Sequence, residues 1–180
     1  STSVATTSDA TSQQQQHASL AKLPVGSIER NVRDFNPQAI ANTLLALNKM
    51  GVKWATLPSE KLRGDLFSAI ERNVRHFNPQ EIANTLLALD QMGVKWDTLP
   101  SDELRHNLFT AIENNLYTCD RDNIAMLLFH LGGLKVKWSD FPNDNIRALI
   151  LKTVERKATR FRARDSSDSL DSLKRRGGNW

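Results

Sequence analysis

Two pairs of arginines, Arg30 with Arg33 and Arg72 with Arg75, are the side chains best suited to chemistry in this 180-residue chain. Guanidinium groups three residues apart on a helix share a face, and each presents a fork of N–H donors that fits a phosphate or a carboxylate. The two pairs are 42 residues apart, so they would line up as a stripe if successive segments stack. The competing reading is a solvated face on which each arginine serves a helix end or a neighbouring glutamate. Asn114 and Tyr117 stand at the equivalent places one step further on, and Arg156 and Arg160 resume the series after that interruption. A second group is Asn42 and Asn84, amides in the middle of a helical pattern where asparagine is a mediocre helix former. They suit a hydrogen bond to the adjacent segment, or a ligand contact. A third group is the adjacent pair Asn48-Lys49, which becomes Asp90-Gln91 and then Gly132-Gly133 in later copies.

Other chemistries find no residues. The histidines at 17, 76, 106 and 130 share no metal-ligand spacing, and Cys119 has no second cysteine, so no metal site and no cofactor are expected. Glu29, Glu71, Glu113 and Glu155 recur at one position, which reads more simply as i,i+4 pairing of Glu29 with Arg33 and Glu71 with Arg75 than as catalysis. There is no glycine-rich phosphate loop, nucleophile elbow or paired-carboxylate motif. The expectation is a non-enzyme with no small-molecule substrate.

The elements that would position these residues are repeats. Ile28–Pro58 and Ile70–Pro100 differ at only five of 31 positions: 34/76, 39/81, 48/90, 49/91 and 55/97. A worn third copy runs from Ile112 to Pro142, and a fourth step reaches Val154-Glu155-Arg156 and Phe161. A fixed period in this range marks an array whose units lack complete cores of their own. Within a unit, Ser59 reads as an N-cap, and Leu62, Leu66, Ile70, Val74 and Phe77 follow at helical spacing as a helix A. Asn78-Pro79-Gln80-Glu81 then reads as N-cap, N1 proline and an acidic N3 opening a helix B, with Gly93 at its left-handed C′ position. Val94, Trp96 and Leu99 would form an extended connector, with Trp54, Trp96 and Trp138 better read as anchors between hairpins than as stacking platforms for bases.

The pattern predicts an all-α fold, a short α-solenoid of about seven helices in 42-residue hairpin units. Its repeats would run 27–58, 59–100, 101–142 and, in part, 143–164. The first unit should have only a short helix from Ser27 to Asp34, because Pro24-Val25-Gly26 reads as a helix breaker. In the third unit helix B is expected from Asn123 to His130, with Asp120 as cap, Cys119 as a core residue and Gly132-Gly133 as the stop. Residues 1–26, rich in Ser, Thr and Gln, and 165–180 have the composition of disordered tails.

Charge separates the regions. Residues 28–142 carry 13 Lys and Arg against 14 Asp and Glu, whereas residues 143–180 carry 10 against 5. Neutral repeats argue against a purely electrostatic nucleic-acid binder, which needs a clustered basic face. No apolar run approaches the roughly 18 residues of a membrane helix, so no membrane partner is expected. A chain that starts on Ser1 with no basic-then-apolar leader reads as a fragment or a processed product, soluble and intracellular.

The run Phe77-Asn-Pro-Gln-Glu-Ile-Ala-Asn-Thr-Leu-Leu-Ala-Leu-Asp-Gln-Met-Gly93 resembles the helical-repeat motif of octotricopeptide and heptatricopeptide proteins, and of FAST-kinase-like and RAP-domain proteins. In period it is more similar to the SKWP repeats of plant-pathogen type III effectors, although Asn48-Lys49-Met50 stands where those carry Ser-Lys-Trp. The first resemblance implies an α-solenoid acting on organellar RNA, and the second implies a secreted bacterial effector. A constant scaffold with a few changing positions is also the plan of repeat proteins that read one base per unit. The reading favoured at this level is a non-catalytic module binding single-stranded RNA through Asn48, Lys49, Asp90, Gln91 and the arginines. The alternative is a protein-protein interaction scaffold. Swapping Asn48-Lys49 with Asp90-Gln91 should then change ligand preference and leave stability alone.

Overall fold

The computed structural model describes residues 25–119 and 121–156. Among them are seven α-helices and no strand: α1 (Val25–Asn31), α2 (Pro37–Lys49), α3 (Glu60–Asn73), α4 (Pro79–Gln91), α5 (Asp102–Leu116), α6 (Arg121–Gly133) and α7 (144–156). The expected α-solenoid of tandem helical hairpins is the fold. The leader 1–24, Asp120, Arg160, Phe161 and the tail 165–180 lie outside the described residues.

Local chemistry accounts for the helix ends. Ser59 and Ser101 accept the amides of Leu62 and Leu104 at 3.1 and 3.0 Å, and Asn143 accepts that of Ile146 at 3.0 Å. Asn78 and Glu81 form a reciprocal capping box: Asn78 Oδ1 accepts from Glu81 N at 2.8 Å and Glu81 Oε2 from Asn78 N at 2.9 Å. Ala39 leaves the equivalent Asn36 with half of that box. Helices α2 and α4 close on Gly51 and Gly93 at φ of 78° and 89°, the left-handed C′ conformation that glycine adopts without strain.

The chain divides into two compact units at Lys137/Trp138. In the first, α2, α4 and α6 stack side by side as one layer, and α3 and α5 stack with the 3-10 turns that end their neighbours as the other. The core between the layers is aliphatic: Ile40, Leu44 and Leu47 from α2, Ile82, Leu86 and Leu89 from α4, and Leu62, Leu66 and Ile70 from α3 are at most 1% exposed. Each such side chain contributes about 1.5–3 kcal/mol, so this burial outweighs any single polar contact described below. In the second unit, α7 follows a 3-10 turn at Trp138–Asp140.

Four expectations are corrected. Helix α1 starts at Val25, not Ser27, and includes Gly26, because the first turn of a helix needs no amide partners and tolerates a glycine. It gives way at Val32–Asp34 to a 3-10 turn. The connectors are not extended: Trp54–Thr56 and Trp96–Thr98 are 3-10 turns, pinned where Thr56 and Thr98 hydroxyls donate to the carbonyls of Lys53 and Lys95 at 2.9 and 2.7 Å. Helix α6 starts before Asn123 and does not stop at the glycines. Gly132 and Gly133 are its last turn, and the left-handed residue is Lys135 at φ 65°, in the register of Gly51 and Gly93. Cys119, expected in the core, is half-buried.

Candidate functional site

Most recurring polar side chains bind the adjacent repeat. The backbone N–H of Trp54 donates to the carbonyl of Met92 at 2.9 Å and that of Trp96 to the carbonyl of Leu134 at 2.8 Å, tying each connector to the end of the next B helix. Beside them Lys53 and Lys95 donate from Nζ to the carbonyls of Gln91 and Gly133 at 2.8 and 3.0 Å. The indoles pack on Phe67 and Phe109 with ring centroids 4.4 and 4.6 Å apart, and both are buried. Trp54 and Trp96 are therefore anchors, as expected. Trp138 is 48% exposed and meets Phe141 edge-on at 5.5 Å.

Two buried asparagines that the sequence reading passed over do the same for the A layer. Asn73 Nδ2 donates to the carbonyls of Phe35 and Ala69, both at 2.8 Å, and Asn115 Nδ2 to those of Phe77 at 3.1 Å and Ala111 at 2.7 Å. Their recurrence with Asn31 at the repeat period was the available signal. The recurring glutamates do not act by i,i+4 pairing. Glu71 Oε2 accepts the hydroxyl of Ser101 at 2.8 Å, and Glu29 Oε1 that of Ser59 at 3.5 Å, so each carboxylate reaches the N-cap of the next unit's A helix.

The arginine stripe is partly committed to the array. Arg72 donates to the carbonyls of Val32 and Arg33 at 3.2 and 2.9 Å, and Arg75 to Asn107 Oδ1 from Nε and a terminal nitrogen at 3.2 and 3.1 Å. Both stay exposed, as do Arg30 and Arg33, and Arg156 is exposed on α7. Asp65 lies beneath Arg33 and Arg72. Its hydrogen bond from Lys61, reinforced by the charges of Lys61, Arg33 and Arg72, holds its carboxyl below the usual range. A carboxylate here makes the stripe less positive than the sequence count suggests.

The variable positions are coupled across repeats. Asn48 donates to Gln91, one unit on. Asp90 Oδ2 lies 2.7 Å from Nδ1 of His130, with side-chain exposures of 15% and 5%. A carboxylate only accepts, so the imidazole donates. A Cβ built on Gly133 would fall inside the Asp90 carboxylate, which explains why the third copy carries glycine there. Swapping Asn48-Lys49 with Asp90-Gln91 would replace the carboxylate facing His130 with a neutral amide in a mostly buried site, so stability should change as well as any ligand preference.

Asn42 and Asn84 do not make the inter-unit bond expected of them. Asn84 Oδ1 accepts from Gln80 in its own helix at 2.9 Å. Helix periodicity places Gln38, Asn42, Leu45 and Lys49 along the side of α2 opposite its buried residues, with Gln80, Asn84, Leu87 and Gln91 along the same side of α4. On α6 the series continues as Asp122, Met126 and Phe129, the last 74% exposed. This outer face has columns of amides beside a row of apolar side chains, and its one lysine, Lys49, is offset by Asp122. Its apolar row, Leu45–Leu87–Phe129, was missed because leucines in a helix read as core unless the opposite face is known.

No curated protein and no solved structure matches the chain. A family model does, in three tandem segments, residues 12–44, 50–86 and 92–121, each spanning a connector position, an A helix and the start of a B helix. What this match shows is a repeat family; it does not extend to octotricopeptide or SKWP-type identity. The three segments cover more than half of the chain, which belongs to the family described as "Protein of unknown function (DUF1601)".

Proposed function

We propose that this binding module is non-catalytic and holds an extended polypeptide on the outer face of α2, α4 and α6. The observation that carries the reading is the chemistry of that face: Asn42 and Asn84 one unit apart, beside the row Leu45, Leu87 and Phe129, with no net charge. An amide offers both a donor and an acceptor, which is what a main-chain peptide group requires. Packed helices lie about 8–10 Å apart. Three residues of extended chain cover about 10 Å, so one unit would meet every third residue of the guest. Single-stranded RNA, favoured on sequence, draws support from exposed Arg30, Arg33, Lys49 and Arg156. Against it stand the inter-unit bonds of Arg72 and Arg75 and the carboxylate of Asp65.

Selection of a displayed library of unconstrained peptides tests the reading. The chain should enrich binders, and the double variant Asn42→Ala/Asn84→Ala should bind them about tenfold more weakly, since each lost hydrogen bond costs about 0.5–1.5 kcal/mol. Phe129→Asp should weaken them too. Binding of single-stranded RNA oligomers instead, steeply salt-dependent, indifferent to those changes and abolished by Arg30→Ala/Arg33→Ala, would replace the peptide by RNA.

A further inference from the structure

At the C-terminal end of the described residues, three apolar side chains stand exposed where their equivalents are buried. Trp138 is 48% exposed, Leu151 53% and Val154 46%. One period earlier, Trp96, Phe109 and Ile112 are 3%, 4% and 0% exposed, and two periods earlier Trp54, Phe67 and Ile70 are 9%, 9% and 0% exposed. In the earlier copies the Trp–Phe pair abuts the end of the next B helix: the backbone N–H of Trp54 bonds the carbonyl of Met92, and Trp54 and Phe67 share a cleft with Gly93 and Val94. The end face therefore repeats an interface already built twice, lacking its cover among the described residues.

The chain contains a segment in register to supply it. All four tryptophans, Trp54, Trp96, Trp138 and Trp180, are spaced by 42 residues. Leu89 to Trp96 reads LDQMGVKW, and two periods on Leu173 to Trp180 reads LKRRGGNW, keeping the leucine, the C′ glycine and the tryptophan. Leu170 falls on the position of buried Leu86, and Asp165 on that of Glu81 in the capping box. We infer that residues 163–175, which stand in the register of a B helix, seat through Leu170 and Leu173 on the face of Trp138, Leu151 and Val154. The residues before and between the two leucines are mostly Ser and Asp. They are poor helix formers, so protection of this segment must come from seating and not from intrinsic helicity.

Hydrogen exchange on the full chain, with light scattering to follow its mass, tests this. Amides of 163–175 should exchange about tenfold more slowly than unfolded chain in the monomer, a marginal local stability. Leu170→Asp and, independently, Leu151→Asp should abolish that protection while α2 to α6 stay protected. Leu151 is already exposed, so its variant tests the seat without threatening the fold. Exchange at unfolded rates in the wild-type monomer overturns the inference, as does protection that survives Leu151→Asp. Protection that appears only as the chain dimerises also overturns it, and gives the face to a second copy.

Discussion

The junction between the first and second repeats and that between the second and third share a frame and differ in two places. Both use a tryptophan N–H, a lysine and a buried asparagine, and all three donate to backbone carbonyls of the neighbour. At the edge of the B layer, the first junction has a partly exposed Asn48–Gln91 amide pair, and the second has the mostly buried Asp90–His130 pair with Gly133 beneath it. The A layer varies too: Arg72 caps the turn at Val32–Asp34, and Asn114 stands where a second such arginine would be. Two copies can thus be almost identical in sequence while their surroundings differ. What a residue does here depends on the unit that follows it.

The contrast can be pressed hardest at the two glycines. Gly133→Ala should push Asp90 off His130 and leave buried polar groups unpaired, costing about 1–3 kcal/mol, against a gain of roughly 0.5–1 kcal/mol from replacing a helical glycine. A net loss should register as a lower urea midpoint. Gly132→Ala meets nothing within 4 Å and should gain about 0.5–1 kcal/mol. Shifts of the same sign at both sites would show that crowding by Asp90 is not why the pair is glycine.

The helix ends come next. Lys135 adopts φ 65° where Gly51 and Gly93 sit at 78° and 89°. A non-glycine residue in that region costs about 1 kcal/mol, so Lys135→Gly should raise the midpoint by that much and Gly93→Ala should lower it comparably. The smallest effect belongs to the A layer. Asn114→Arg should add a bond of the Arg72 type at the second junction, worth about 0.5 kcal/mol at an exposed site, and Arg72→Asn should remove one from the first. If Asn114→Arg leaves the midpoint unchanged while Arg72→Asn lowers it, the junctions differ in backbone geometry and not only in that side chain.

The hairpin, its caps, the C′ glycines and the tryptophan anchors were legible in the sequence because each is a local pattern stated afresh in every unit. The partners across junctions were not. Comparison at the repeat period aligns copies, whereas the bonds that join units span other distances: 38 residues for Lys53 to Gln91 and Asn73 to Phe35, and 30 for Ser101 to Glu71. Glu71 and Arg75 looked like a pair because they are four apart on one helix, and only stacking reveals that Ser101 and Asn107 are nearer. Of the candidate site, Asn42 is exposed and Asn84 half-buried, neither bonded to a neighbouring unit, while Asp90 belongs to the fold.

The joints of this array have one more property. Tryptophan, lysine, asparagine and Arg72 all deliver their protons to main-chain oxygens, which any amino acid provides in that conformation. For these bonds the receiving side places no demand on sequence, so a new neighbour can dock through them before side-chain pairs such as Ser101–Glu71, Arg75–Asn107 and Asp90–His130 arise. Such a chain can lengthen by copying one segment of its gene in frame, with the duplicate docking at once and diverging afterwards. The near-identity of Ile28–Pro58 and Ile70–Pro100 is what a recent copying event of that kind would leave behind.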